Sequence, residues 1–156
     1  MVDNKLVKRT PSIVTFYRVA NFFYKKKVPI IPYVFQWSIR RYYGADIPYQ
    51  ITAGKHLHLG HSGLGIVIHP RCVMGNNVTI AQHVTIGGSK GSIGVPKIGN
   101  NVYIGPGAKV LGDIVIGDNV IVGANAVVLE SVQGNVVVGG VPAKILREIN
   151  EDDIYV

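Results

Sequence analysis

Four of the five histidines in this chain lie within fifteen residues, in the segment HLHLGHSGLGIVIHP at positions 56–70, with glycines between them. A histidine can act as a general base or bind a metal ion near neutral pH, but only where a partner and a substrate are held against it. The segment alone therefore allows three interpretations: a catalytic base, a metal site, or ordinary surface histidines. The elements that position these side chains must decide between them.

Length and cysteine content limit the class of protein. With 156 residues, the chain is expected to be one domain with an arm. A single cysteine, Cys72, provides neither a disulfide framework nor a thiolate cluster for a metal, which fits a reducing cytoplasm. No secretion signal is expected, and the longest apolar run, VPIIPYVFQW, is too short to cross a bilayer. The predicted location is cytoplasmic, or peripheral at the inner face of the membrane.

The positive charge is concentrated near the beginning of the chain. Residues 1–45 contain nine Lys or Arg and one acidic residue, whereas residues 46–156 contain seven against eight. A basic arm thus precedes a nearly neutral body, so no nucleic-acid partner is expected. The arm is predicted to be helical, because apolar residues recur at helical intervals in PSIVTFYRVANFFYKKK.

A six-residue repeat dominates the second half of the chain. From residue 98 the sequence reads IGNNVY, IGPGAK, VLGDIV, IGDNVI, VGANAV and VLESVQ, and the first place of every hexad is aliphatic. A helix of 3.6 residues per turn cannot keep this pattern on one face, but short strands separated by turns can. The same frame extends back to Ile47. It is interrupted between Leu59 and Ile68 and between Ile86 and Ile98, where loops are predicted.

The repeat resembles the hexapeptide repeat of left-handed parallel β-helix proteins, whose coils have three strands and three corners. The aliphatic first place then points inward, and Gly or Asn takes the positive φ of the corners. The resemblance predicts an all-β fold in three segments: a basic, aromatic helical arm at 1–45, a β-helix at 46–143 with a loop at 87–97, and a C-terminal tail at 144–156 containing a short helix. Cys72 falls on an inward place and is predicted to be a core residue.

Several motifs are similar to those of the serine acetyltransferase branch of the acetyl-CoA-dependent hexapeptide acyltransferases. They are ADIPYQITAGKHLHLGHSGLGIVIHP, VTIGGSKG, IGPGAKVLG, GANAVV and GVPAKI. The resemblance is especially close to short members associated with O-acetylation of surface polysaccharides. It implies an enzyme that uses acetyl-CoA as co-substrate and forms a homotrimer with active sites between subunits.

The resemblance places the general base at His61 and its orienting carboxylate at Asp46, fifteen residues earlier. Fifteen residues are three short of a full coil, so the two residues are expected on neighbouring turns near one corner. A hydroxyl that attacks a thioester needs a base within hydrogen-bond reach, and a carboxylate would hold the other ring nitrogen. With Cys72 in the core, no acyl-enzyme nucleophile is predicted, and direct transfer is expected.

The other histidines, His56, His58, His69 and His83, are interpreted as structural or solvated residues. A metal site is the alternative, because His56 and His61 are spaced as HxxxxH and metal-dependent carbonic anhydrases resemble this fold. Those enzymes need a third histidine well upstream, and no histidine precedes position 56. No metal is therefore expected.

The resemblance also implies an edge that binds coenzyme A, where small residues let an extended pantetheine chain approach the backbone. One position per coil is predicted at Gly88, Pro106 and Ala124, spaced by eighteen residues. Pro106 departs from the expected alanine and lacks an N–H donor. The coenzyme phosphates are predicted to contact Ser89, Lys90 and Lys144.

The acceptor is predicted from the positions at which this chain differs from serine acetyltransferases. Serine acetyltransferases carry an aspartate just before the base and an Arg-His pair before PKI, whereas this chain has Gly60 and Gly94–Val95. Those groups would clamp the charged ends of an amino acid. The expected reaction is therefore acetyl transfer to a hydroxyl of a sugar or polysaccharide precursor, with serine O-acetylation as the alternative. A non-catalytic β-helix scaffold is a third hypothesis.

Two roles are predicted for the arm. The mixture of aromatic and basic residues in FYRVANFFYKKK and VFQWSIRRYY suits either the interface of an anionic membrane or a cap on the open end of the β-helix. The cluster Lys25–Lys27 fits a cap less well, because a cap needs apolar cover.

Overall fold

The computed structural model describes residues 12–91 and 93–150. This part of the chain begins with two helices, α1 (Ile13–Lys25) and α2 (Ile31–Tyr43), and continues as short parallel strands. The predicted helical arm is therefore present, as two helices where PSIVTFYRVANFFYKKK indicated one. None of the described helices is long and apolar enough to cross a bilayer.

The strands form three sheets, which are the three faces of a β-helix of about four turns. One face contains β1 (Thr52–Ala53), β4 (Val73–Met74), β7 (Lys97–Ile98) and β10 (Val115–Ile116). The second contains β2 (His58–Leu59), β5 (Val78–Ile80), β8 (Val102–Ile104), β11 (Val120–Val122), β13 (Val136–Gly140) and β14 (Ala143–Glu148). The third contains β3 (Val67–Ile68), β6 (Thr85–Gly87), β9 (Lys109–Leu111) and β12 (Val127–Val128). The predicted left-handed parallel β-helix is confirmed.

The number of residues between paired positions on neighbouring coils gives the length of the two interruptions of the repeat. Lys97 pairs with Val115, eighteen positions later, which is the undisturbed coil length. Thr79 pairs with Tyr103, twenty-four positions later, so the loop between β6 and β7 adds six residues. His58 pairs with Thr79, twenty-one positions later, so the turn between β2 and β3 adds three. Both predicted loops are present.

The aliphatic places of the repeat form a continuous core inside the solenoid. The first places of all six hexads, from Ile98 to Val128, are at most 4% exposed. Each such burial contributes roughly 1.5–3 kcal/mol of hydrophobic stabilisation. Cys72 lies in the same core at 1% exposure, as its place in the frame predicted. Since a coil packs only on its neighbours, stability depends on contacts between adjacent coils.

A ladder of asparagines forms one corner of the β-helix. The side-chain amides of Asn77, Asn101, Asn119 and Asn135 donate each to the next at 2.8, 2.9 and 2.8 Å. All four residues have a φ between 54° and 64°. Asparagine tolerates this left-handed conformation better than other non-glycine residues, which explains why it recurs in the hexads.

Helix α1 closes the N-terminal end of the β-helix. The Tyr17 hydroxyl donates to the carbonyl of Ile51 at 2.9 Å, and the side-chain amide of Asn21 donates to the carbonyl of Tyr49 at 2.7 Å. These carbonyls belong to the first coil, which has no preceding coil to supply donors, so α1 satisfies backbone groups that would otherwise be unpaired. Of the two roles predicted for the arm, the capping role is visible in the structure.

The C-terminal segment differs from the predicted short helix. Ala143–Glu148 forms strand β14, which pairs antiparallel with β13. The last parallel strand leaves unpaired backbone groups on its open side, and a hairpin satisfies them where an exposed helix could not. This pairing overrides the local sequence pattern. Residues 151–156 lie outside the described part of the chain.

Candidate active site

His61 lies on a strained turn between β2 and β3. The inserted residues form a 3-10 turn over Gly60–Gly63, in which His61 and Ser62 have φ values of 48° and 56°. Left-handed backbone costs a non-glycine residue roughly 1–2 kcal/mol, and His56 and His83 also adopt it, so the strain alone does not distinguish His61. The N–H of Gly65 donates to the carbonyl of Gly44 at 3.0 Å and ties the turn to the end of the arm. The side chain of His61 is exposed there.

Asp46 lies on the strand segment beside this turn, but its carboxylate is bound by helix α2. Its backbone pairs with Val67 at the edge of the third face. Arg40 donates to Asp46 Oδ2 at 2.6 Å, and Gln36 Nε2 lies 3.5 Å from Oδ1. The structure thus brings the segments of Asp46 and His61 side by side. Within the described residues, no hydrogen bond joins the two side chains.

Gln36 and Arg40 are site residues that the sequence did not single out. They are four positions apart, about one turn of α2, so both project from one face of the helix towards Asp46. The sequence signal that could have identified Arg40 is its place near a helix end, six positions before the carboxylate of Asp46. The ion pair is partly exposed, at 63% for Arg40 and 26% for Asp46, so solvent weakens its contribution to stability.

The corner that carries His61 continues along the solenoid. The register of β2 with β5 places Gln82 beside His61, and the register of β5 with β8 places Pro106 beside Gln82. The N–H of Asn125 donates to the carbonyl of Pro106 at 2.8 Å, so Ala124 follows on the last coil. We call this row the His61 edge: His61, Gln82, Pro106 and Ala124.

Gly88 does not lie on the His61 edge, which corrects one prediction. Gly87 pairs with Leu111, so Gly88 falls beside Gly112 at the next corner. The predicted spacing of eighteen fails here because the six-residue loop lengthens this coil to twenty-four. Counting twenty-four back from Pro106 gives Gln82. Pro106 and Ala124 are stacked, but a column through Gly88 is wrong.

The residues predicted to contact coenzyme phosphates lie on two separate elements. Ser89 and Lys90 are exposed on the loop after β6, where Ser89 lies against Gly112. Lys144 is exposed on β14, opposite Gly139. Each side chain is accessible to a ligand, and their roles stay predictions.

The remaining histidines have structural or solvated surroundings. His69 Nδ1 accepts a hydrogen bond from the N–H of Arg71 at 3.2 Å. The His83 ring packs on Gly65, where an added Cβ would come within 2.2 Å of Nδ1. His56 and His58 are exposed on the first coil. In residues 12–91 and 93–150, no three His, Cys, Asp or Glu side chains are placed to hold a metal ion.

Cys72 is a buried thiol. Burial raises its pKa to about 11, against a small opposing effect of a backbone hydrogen bond at His69. The thiol is therefore protonated at neutral pH, whereas an acyl-enzyme nucleophile needs the thiolate. This favours direct transfer over a mechanism through Cys72.

The repeat and several motifs match known proteins. A family profile described as bacterial transferase hexapeptide (six repeats) matches residues 96–130. The chain thus carries the hexapeptide repeat that this profile describes. It is similar to the serine acetyltransferase of Staphylococcus xylosus, with 42% identity over 132 residues that cover 83% of this chain and 61% of the relative. It is similar to the serine acetyltransferase of Bacillus pumilus, with 35% identity over 142 residues that cover 87% of this chain and 65% of that protein.

Solved structures give the same result. The serine acetyltransferase of Brucella abortus superposes with a TM-score of 0.83 at 36% identity, covering 88% of this chain and 57% of that one. A structure of the same enzyme in complex with coenzyme A has a TM-score of 0.82 at 37% identity, with 88% and 55% covered. This hexapeptide-repeat chain thus spans less than two thirds of these curated relatives and little more than half of these solved chains.

The prediction of a sugar or polysaccharide acceptor is wrong. The relatives at 35–42% identity are serine acetyltransferases, and they give no support to a link with polysaccharide O-acetylation. The prediction came from missing clamp residues, but a missing side chain does not identify an acceptor, because other polar groups can bind an amino acid. At Gly94 the structure shows close packing, since an added Cβ would lie 2.0 Å from Asp113 Cγ.

Proposed function

We propose that this chain transfers the acetyl group of acetyl-CoA to the hydroxyl of serine. The observation that carries the proposal is the likeness to serine acetyltransferases in both sequence and structure, at 42% identity and a TM-score of 0.83. Acetyl-CoA is the proposed co-substrate, supported by the similar Brucella abortus enzyme solved with coenzyme A.

His61 is proposed to act as the general base. Its imidazole takes the proton of the serine hydroxyl while that oxygen attacks the thioester carbonyl. A new C–O bond forms, the C–S bond breaks, and the proton passes from His61 to the leaving thiolate of coenzyme A. The exposed, strained turn supports this role, because it holds the ring away from the solenoid wall where substrate can reach it.

Asp46 is proposed to orient His61 through Oδ1. Arg40 occupies Oδ2 at 2.6 Å, whereas the contact of Gln36 with Oδ1 is at the outer limit of a hydrogen bond, at 3.5 Å. Oδ1 is thus the oxygen with capacity for the imidazole N–H. Arg40 would then fix the carboxylate without competing for the same oxygen.

The pantetheine arm of acetyl-CoA is proposed to lie along the His61 edge. Gln82, Pro106 and Ala124 continue from His61, so a ligand on this edge would present its thioester end to the base. The backbone is closely approached there, since an added Cβ at Gly105 would lie 2.8 Å from Ala124 N. Ser89, Lys90 and Lys144 stay the proposed phosphate ligands, with Gly88 in the same loop as Ser89 and Lys90, at a different corner from the His61 edge.

A homotrimer is proposed to complete the site. Apolar side chains remain half exposed on the faces of the single chain, including Leu64, Val73 and Val115 at 44–51%. A threefold neighbour would cover such surface, and clefts between subunits would exclude water from His61. The loop at 88–96 of one subunit, with Asp113 beside it, would then lie close to the His61 edge of the next.

The test is release of coenzyme A from acetyl-CoA, followed with a thiol reagent, in the presence and absence of L-serine. Serine-dependent release with O-acetylserine detected by mass spectrometry is expected. O-methylserine, which lacks the attacking hydroxyl, is the matched control and should give only background hydrolysis. Serinamide and N-acetylserine remove one charged end each and identify which end the site binds. Acetyl-CoA binding without any serine-dependent turnover would overturn the proposal and favour a non-catalytic scaffold.

A further inference from the structure

We propose that the outer side of the helical arm is a docking surface for an anionic lipid bilayer. This arm surface consists of Lys25, Lys26, Lys27, Ile30, Tyr33, Val34 and Trp37. It goes beyond the acetyl transfer proposed above and does not depend on it. The arm would lie on the bilayer without crossing it.

The capping role leaves this surface unused. The cap is made through Tyr17 and Asn21 on α1 and the buried Ile39 on α2, whereas Lys27, Ile30 and Tyr33 line an open cavity beside Tyr49 of the first coil. On the outer side, Ile30, Tyr33 and Trp37 are 73%, 66% and 52% exposed. Their spacing places them on one stripe of α2, together with Val34. An apolar stripe that faces solvent over the first two turns of a helix indicates a partner.

Ile30 is exposed by a strained turn. It has a φ of 70° and a ψ of −52°, and the N–H of Ile31 donates to the carbonyl of Pro29 at 2.8 Å, which is a γ-turn of the unfavourable hand. A β-branched residue is among the least suited to positive φ. The fold therefore accepts strain at a position where it presents an isoleucine to solvent, next to Lys25–Lys27. Insertion of the Ile30 side chain into a bilayer would account for its exposure beside these lysines.

The charge of the arm complements an anionic surface. Between Ser12 and Ala45 there are six Lys or Arg and no Asp or Glu. Arg18 donates to carbonyls of the first coil and Arg40 to Asp46, whereas Lys25–Lys27 and Arg41 are exposed, with Lys26 Nζ over the Phe22 ring. Tyrosine and tryptophan are suited to headgroup level, and lysines beside them attract anionic lipids.

A second copy of the chain in a two-fold contact fits this surface less well. In a two-fold contact the same patch faces itself, so the three lysines of one copy would lie against those of the other. Like charges in a desolvated contact oppose association. An anionic bilayer has no such conflict.

The experiment uses the full chain and its single tryptophan, Trp37, as the probe. Vesicles of phosphatidylcholine with phosphatidylglycerol should shift Trp37 emission to the blue and allow quenching by brominated lipids, whereas pure phosphatidylcholine should have little effect. The partition coefficient is expected to fall about tenfold or more when salt is raised from low to molar concentration. Unchanged Trp37 emission with anionic vesicles at low salt overturns the proposal.

Variants separate the lipid surface from other causes. Lys25→Gln, Lys26→Gln and Lys27→Gln together should abolish most vesicle binding, and the corresponding triple change to Arg should restore it. Lys55→Gln with Lys97→Gln removes exposed charge on the solenoid and should bind nearly as the parent does. Ile30→Gly relieves the turn, so it should raise the melting temperature while weakening binding. Equal binding by both Gln variants, or concentration-dependent self-association lost in Trp37→Ser without vesicle binding, contradicts a lipid partner.

Discussion

Arg40 and Asp46 form an ion pair, with 2.6 Å between guanidinium nitrogen and carboxylate oxygen, that connects the helical arm to the segment beside His61. The pair is partly solvated, so its direct contribution to stability is small, about 0–1 kcal/mol. Its consequence is positional, because it fixes one oxygen of the carboxylate and leaves the other for a second donor.

Replacement of Arg40 by Leu should therefore lower the rate more than the stability. We expect kcat to fall several-fold, the KM for acetyl-CoA to stay unchanged, and the free energy of unfolding to fall by less than about 1 kcal/mol. Steady-state kinetics and urea unfolding measure the two effects. Arg40→Lys keeps the charge and should recover part of the rate. An equal loss in both variants with normal stability would argue against positioning by the ion pair.

Replacement of His61 by Ala should remove acetyl transfer but not acetyl-CoA binding. Loss of a general base lowers rates by about a hundred- to ten-thousand-fold. Calorimetric titration should give a dissociation constant close to that of the parent, and Asp46→Asn should weaken turnover less. His58→Ala, an exposed histidine on the adjacent strand, is the matched control and should retain activity. Near-parental turnover by His61→Ala would falsify the assignment.

Alkaline pH should destabilise the fold through two buried groups. Burial raises the pKa of Cys72 from 9.0 to about 11, and burial also raises the pKa of Tyr17 above 10.0. The unfolded chain loses these protons first, so the stabilising contribution is complete below about pH 9 and is lost as pH rises towards 11. Between the unfolded and folded pKa values of Cys72, its slope approaches about 1.4 kcal/mol per pH unit, and Tyr17 acts in the same direction.

Urea unfolding between pH 8 and about pH 11 measures this slope. Cys72→Ala should be less stable throughout because of the cavity, but its stability should fall less steeply with pH. Native Cys72 should also react slowly with a thiol reagent at neutral pH. Identical slopes for the parent and Cys72→Ala would contradict the link to this thiol.

The asparagine ladder should be sensitive to its backbone conformation as well as its hydrogen bonds. Asn119 has a φ of 54° and bonds to Asn101 and Asn135. Asn119→Ala removes both side-chain bonds and strains the backbone, at a cost of about 2–4 kcal/mol. Asn119→Gly removes the same bonds but accepts the conformation, so it should be about 1 kcal/mol more stable than the alanine variant. A glycine variant less stable than the alanine variant would contradict this account.

The solenoid could be predicted from sequence because its signal is local and repeated. Each hexad from Ile98 to Val128 has an aliphatic residue at the same inward position. An error in assigning one hexad is therefore corrected by its neighbours. The six-residue repeat alone placed Cys72 correctly in the core. The strand β14 could not be predicted in this way, because its pairing depends on β13 having an open edge at the end of the stack. That is a property of the whole fold.

The site was less predictable for the same reason. A spacing of eighteen holds only where no loop intervenes, so the count gave Gly88 where the register gives Gln82. Arg40 could not be placed against Asp46 until the packing of α2 on the first coil was known. The acceptor was misjudged because side chains that are missing at Gly60 and Gly94 do not identify what binds, whereas the similar proteins are serine acetyltransferases.

Strand β14 has a consequence for how the molecule behaves in solution. A parallel solenoid ends in a row of backbone donors and acceptors on which another coil could stack, and stacking of chains end to end would produce fibres. On the second face, the chain reverses and covers that row with its own antiparallel strand. The new outer edge carries Lys144, Arg147 and Glu148, all exposed. Charged side chains on an edge strand oppose further pairing. On this face, the reversal therefore opposes end-to-end pairing with another solenoid.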